Sequence, residues 1–339
     1  MKRFYGLVLV VLALLAAALT LDSCKSKHQA LLPTVSGKAG EIMVVIEKAD
    51  WEGAVGNATR ELLACDCPWF LMREPLYSLS NVTHGGFADI FKVHRNIVYF
   101  DINPQVAATG VKYLQNVWAA PQAVVNVAAP DAQTAVELLE KDGAKIVAFI
   151  EQAERDRVIR NTMRYEEKNL GAMVAEIFGG CLHFPTGYQF KKKTSDFIWI
   201  ADEKQYTIQG VFVYRYPALG TDEDFSPATI IAHRNEVLRN NVPGMFDNTY
   251  MTTGTLPKPT VEYLKYQGRT FAQTRGYWEV ANDYMGGPFV SHSFYSPDGI
   301  YVVVCDAFVY APKYDKRQYL RQVESLLYSW EWKEEKAQN

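Results

Sequence analysis

In the stretch FKKKTSDFIWIADEKQYTIQGVFVYRY, residues 190–216, two runs of β-branched and aromatic residues flank a polar break. Phe190–Ala201 and Thr207–Tyr216 are the runs, and Asp202-Glu203-Lys204-Gln205 is the break. Such runs around a polar interruption predict a β-hairpin. A hairpin commits this half of the chain to an antiparallel sheet. The three lysines at 191–193 fit the edge of that sheet, where charge discourages strand addition.

Working outward toward the C-terminus, Ser226-Pro227 starts a helix, with the proline where its missing N–H costs nothing. That helix runs through Ile230, Ile231 and Val237 to the Pro243-Gly244 stop. Tyr263–Val280 and Phe289–Phe308 read as strands, the second after a Gly286-Gly287-Pro288 turn. Tyr319, Leu320, Val323, Leu326, Leu327 and Trp330 form an apolar helical stripe. Toward the N-terminus, Asp131 is placed to cap a helix that Gly143 is expected to break. A 3.6-residue period resumes at Ile146, Phe149, Ile150, Ala153 and Arg157 and reaches about Ile177, with Glu154, Arg155 and Asp156 expected to point elsewhere. Before it lie strand candidates at Glu41–Glu47, Asn96–Ile102 and Ala123–Ala128, and helix candidates at Asn57–Ala64 and Phe87–Val93. The expected class is α+β: two α/β halves, 36–165 and 166–335, with mainly antiparallel sheets covered by helices.

The first residues address the chain to a membrane. Lys2-Arg3, an apolar run from Leu7 to Ala18 and the sequence Leu21-Asp22-Ser23-Cys24 read as a bacterial lipoprotein signal peptide over residues 1–23. The run is shorter than the roughly 20 residues that span a bilayer, so a permanent transmembrane anchor is not expected. Cys24 then carries lipid, residues 24–35 act as a tether, and the chain sits on a cell-envelope membrane. Lys25-Ser26-Lys27 lack an acidic run, which favours the outer membrane facing the periplasm. The net charge of −3 lacks the field of a nucleic-acid binder.

Candidate chemistry is sparse. Cys65, Cys67, Cys181 and His183 do not have zinc-finger spacing, and no metal or cofactor is implied. An oxidising periplasm allows a disulfide among Cys65, Cys67, Cys181 and Cys305, while Cys305 suits a buried strand position. His84 and His94 flank a short helix, and Gly85-Gly86 would let a ligand approach the backbone. In Thr274–Phe289, a strand places Arg275, Tyr277 and Glu279 on one face and Trp278 on the other. Arg275 and Glu279 would flank a ligand, with Asp283 and His292 following around the turn. The candidate ligand set is therefore Arg275, Trp278, Glu279, Asp283, His292, His84 and His94, with no catalytic residue assigned. Aromatic residues make up 13% of the chain, including 20 tyrosines, a load that serves either packing or recognition.

The blocks SGKAGEIMVVIEKADWEG, HRNIVYFDI, NVWAAPQAVV, EQAERDRVIR, NNVPGMFDNTYMTT, TRGYWEVANDYMGGPFVS and FVYAPKYDKRQYLRQVE, over about Leu32–Trp330, resemble the Bacteroidetes-type lipoproteins of domain-of-unknown-function family 4837. The resemblance implies an envelope lipoprotein and assigns no catalytic residue. The second half also resembles the Mog1/PsbP-type sandwich, a fold used mainly for binding. The expected function is non-catalytic binding of a partner protein or small envelope ligand. A glycan or peptide hydrolase and a structural subunit of an envelope complex are the alternatives.

Overall fold

Two separate sheets grow from two kinds of strand sequence. A computed structural model describes residues 31–67 and 69–333, so the signal peptide and Cys24 lie outside the described residues. The first sheet has the order β2-β1-β3-β5-β4, formed by β1 (Glu41–Val45), β2 (Ser78–Val82), β3 (Asn96–Ile102), β4 (Gly110–Gln115) and β5 (Ala123–Ala129). Its first four strands in that order are parallel and only β4 runs antiparallel. This departs from the antiparallel expectation for a reason visible in the residues. Ile42–Ile46, and Ala123–Ala129 but for Asn126, are apolar without a two-residue alternation, as strands covered on both faces must be. Ile42, Val44, Val98 and Val125 pack on one face, and Met43, Val45, Ile97 and Val124 on the other.

The helices of this half are α1 (Lys48–Glu52), α2 (Ala54–Leu63), α3 (Asp89–Lys92) and α4 (Ala132–Arg164). Asp131 caps α4, its side chain accepting from the Thr134 N–H at 2.8 Å. The expected break at Gly143 does not occur: α4 runs unbroken for 33 residues. Gly143 is buried against α2, where an added Cβ would lie 2.9 Å from Leu62 Cδ1. The glycine serves a close helix–helix approach. Glu154, expected to point away from the core, is buried: it accepts from Asn96 Nδ2 at 2.7 Å and from Arg95 Nη2 at 2.8 Å.

After α5 (Lys168–Phe178) and the two-residue β6 (Gly180–Cys181) comes the second sheet, eight strands and antiparallel throughout. It contains β7 (Gln189–Lys193), β8 (Phe197–Lys204), β9 (Thr207–Pro217), β10 (Tyr250–Thr253), β11 (Thr260–Tyr266), β12 (Arg269–Ala281), β13 (Gly286–Tyr295) and β14 (Tyr301–Tyr310). The run expected as one strand from Phe190 to Ala201 is two. Thr194 Oγ1 donates to Asp196 Oδ1 at 2.7 Å and the Thr194 N–H bonds Phe197 O, so short polar side chains close a turn between β7 and β8. Gly286-Gly287-Pro288 lies inside β13 and not in a turn. An added Cβ on Gly287 would sit 1.9 Å from Val309 O and 3.0 Å from Trp278 Nε1, so the glycine makes room first for that carbonyl and then for the indole that donates to it.

Helix α6 (Pro227–Asn241) contributes Leu238 to the core on one face of this sheet. Helix α7 (Arg317–Leu327) contributes Leu320, Val323, Leu326 and Leu327 to the other, beside Val174 and Phe178 of α5. Helices therefore cover both faces, and the α+β class stands. The chain closes with β15 (Glu331–Trp332) pairing β6. No described helix is long and apolar enough to cross a membrane.

Candidate functional site

On α7, Leu320, Val323 and Leu327 point into the sheet while Arg317, Arg321 and Glu324, spaced i, i+4 and i+7, form a second stripe. On α4, Glu151 and Arg155 stand one turn apart, and on β12 Gln273 and Arg275 stand one pleat apart. These three stripes converge on a cavity of about 260 Å³ at the junction of the two halves. Its apolar wall is Trp69, Phe70, Leu76 and Leu320.

Two bidentate ion pairs frame the cavity. Arg321 grips Glu151 at 2.6 and 3.2 Å, and Tyr77 donates to the same carboxylate at 2.6 Å. Burial pushes the Glu151 carboxyl up, but the Arg321 charge and the two hydrogen bonds outweigh it and hold the group below its ordinary range. Arg275 grips Glu324 at 2.5 and 3.1 Å, donates to Gln273 Oε1 at 2.9 Å, and lies 4.9 Å from the Trp69 ring. Arg155 stacks 3.5 Å over the Tyr328 ring. The buried Glu74 carboxylate accepts from the backbone N–H groups of Lys316 and Arg317 at 2.9 and 2.8 Å, docking the 66–76 segment on the start of α7. Cys67 also lines the cavity, and burial pushes its thiol up to about 11, so it stays protonated and unreactive at neutral pH.

Of the seven candidate ligand residues read from the sequence, Arg275 alone lines this cavity. Glu279 shares its strand face but is exposed farther along β12, beside Gly254. Trp278 is on the opposite face, 1% exposed, donating to Val309 O at 3.1 Å; it is a core residue and has no surface to offer a ligand. The Asp283 carboxylate accepts from the Tyr284 N–H at 2.7 Å within its own turn. His292 is fully buried between Phe271 and Tyr328 and meets the cavity only through Gln273, at 3.2 Å. His84 and His94 lie in the segment between β2 and β3 of the first half. His84 is held by Glu47 at 2.7 Å and Phe100 O at 2.6 Å, and His94 is buried against Gly37 with Nδ1 3.1 Å from Asn96 O. The proposed set does not meet in one cleft. Cys65, Cys67, Cys181 and Cys305 are free thiols, and no group of three or more His, Cys, Asp or Glu able to hold a metal occurs among the described residues. The residues that build the cavity, Arg155, Arg317, Arg321, Glu151 and Glu324, had one signal in the sequence: arginine and glutamate at i, i+4 spacing beside the apolar stripes of two helices.

Residues 167–329, which hold β12, α7 and the whole second sheet, match the family described as Domain of unknown function (DUF4837). The match covers nearly all of the second half. The match does not extend over Leu32–Trp330 as the resemblance suggested: residues 35–163 match a different family, Domain of unknown function (DUF8532). The cavity thus draws on both matched stretches, with Glu151 and Arg155 from residues 35–163 and Arg275 and Arg321 from residues 167–329. No curated protein matches the sequence. Among solved structures, the Saccharomyces cerevisiae Ran-binding protein Mog1p aligns at 11% identity over 45% of this chain and 90% of its own, with a TM-score of 0.31. Human STARD10 aligns at 10% identity over 48% and 79%, with a TM-score of 0.24.

Proposed function

We propose that the chain is a lipid-anchored protein of a bacterial cell envelope, held through Cys24 on the outer membrane and facing the periplasm, that binds a small envelope ligand at the junction cavity without catalysis. The observation that carries the binding reading is the cavity itself: charged forks held by bidentate pairs, set among aromatic and aliphatic side chains. A concave site with an apolar wall and a few fixed polar groups is built for recognition. A cleft that brought Arg275, Glu279, Asp283 and a histidine together would favour the hydrolase reading, and their separate placements remove that support. The partner-protein reading has one observation of its own: Met245, Phe246 and Tyr284 are exposed on neighbouring turns tied by the Asn282 Nδ2 bond to Asn248 O at 3.2 Å.

Native mass spectrometry of the full chain, released in mild detergent from its own envelope fraction, tests the reading. A stoichiometric small-molecule excess lost in Arg275→Ala is the expected result, and a bare chain overturns it. Incorporation of labelled palmitate that vanishes in Cys24→Ser checks the anchor separately.

A further inference from the structure

The charges lining the cavity do not all satisfy one another. Glu151 is taken by Arg321 and Glu324 by Arg275, each in a bidentate grip. Arg155 has no carboxylate partner among the described residues; its Nη1 donates to the Gln152 amide at 2.8 Å and its flat face rests on Tyr328. Arg317 has none either: its fork donates to Pro75 O and to Ser78 Oγ at 3.3 Å, and its Nε is buried with no hydrogen-bond partner. On the outer side Glu262, exposed on β11, has no cationic partner among the described residues. Two cations and one anion without an ion-pair partner among the described residues thus line one small space together with the apolar side chains of Trp69, Phe70 and Leu76.

Resting on the small-ligand reading above, we infer that the cavity takes a zwitterion with apolar side chains, of the class of a free-ended dipeptide. Its carboxylate pairs with Arg155 and Arg317, its ammonium with Glu262, and its side chains lie on the aromatic wall. The Arg155 guanidinium keeps N–H groups for a carboxylate, and Arg317, whose fork is held by Pro75 O and Ser78 Oγ, adds its positive charge; an uncharged ligand can use neither. A simple anion would leave Glu262 repelling it, and a simple cation would face the two arginines. The volume of about 260 Å³ falls just under the range of about 300–1,000 Å³ that holds drug-sized ligands, and so suits a dipeptide better than a folded partner.

Calorimetric titration of the full chain with L-leucyl-L-phenylalanine, its N-acetyl derivative and its C-terminal amide tests the inference. The free-ended dipeptide is expected to bind, with each blocked form about 10-fold weaker, the loss of one charge-assisted contact. In Glu262→Gln, an exposed position with no structural partner, the penalty for N-acetylation is expected to vanish while that for amidation persists. A merely structural defect would weaken all three probes together. Equal affinity for the three, or a Glu262→Gln penalty that persists, overturns the zwitterion. No binding of any probe alongside a persistent mass excess in native spectra overturns the ligand class and leaves the binding reading standing. No binding and no excess overturns both.

Discussion

His292 is a histidine with no room for a second proton. Burial, then the charges of Arg269, Arg275 and Arg155, push its pKa well below the ordinary 6.5. Because the folded value is the lower one, the unfolded chain takes up a proton first as pH falls. The residue's stabilising contribution is therefore complete above about pH 6.5 and is lost below it, toward the folded pKa, at about 1.4 kcal/mol per pH unit. Urea unfolding of His292→Met at pH 7.5 and 5.5 should show a flatter pH dependence than the parent chain by that slope. Arg234 offers a second test. It is fully buried with Asp306, which it holds at 2.7 Å, and it lies 3.6 Å from the Phe289 ring. Arg234→Met leaves a buried carboxylate unpaired and should cost about 3–5 kcal/mol in chemical denaturation. Neither role was legible in the sequence. A histidine and an arginine flanked by polar neighbours look the same whether they face water or the core, and only the cross-strand register of His292 with Gln273 and Cys305 fixes the difference.

Among the elements, what a sequence period can express was legible. Asn96–Ile102 emerged as β3, the cap at Asp131 and the Ser226-Pro227 start were in place, and the apolar stripe over 319–327 is the buried face of α7. The misreadings arise where a residue serves a neighbour and not its own element. Gly143 continues α4 because Leu62 needs its space, and Gly287 continues β13 because the Val309 carbonyl and Trp278 do. Gly143→Ala should change stability by less than about 1 kcal/mol, since helix propensity gained offsets a tight contact with a flexible side-chain end. Gly143→Val adds atoms that Leu62 cannot clear, and should lose about 1–3 kcal/mol by calorimetry.

For the whole molecule, the α+β class followed from local patterning, but the parallel order of the first sheet is a long-range property and so is the cavity. Its lining comes from Cys67, Arg155, Arg275 and Arg321, whose separation along the chain hides their proximity. Glu151 and Arg321 join the first half of the chain to the second. Glu151→Gln should cost about 2–3 kcal/mol, less than a fully buried pair because Glu151 keeps 27% of its side-chain exposure. Glu151's folded pKa is the depressed one, so the pair's contribution stands above about pH 4.5 and fades as acid passes through the lower folded value. A scanning calorimeter at pH 7 and pH 4 should therefore find the variant's deficit shrinking in acid.

Helix α4 presents Glu154 and Arg157 to the first sheet and Glu151 and Arg155 to the junction from interleaved positions of one segment. Each added or removed residue turns everything beyond it by about 100°. Inserting or deleting one residue near Val147 would swing both sets of side chains off their partners at once. The segment can exchange one side chain for another, but its length is fixed by two sets of partners at once, so a change of spacing should cost far more than a change of side chain.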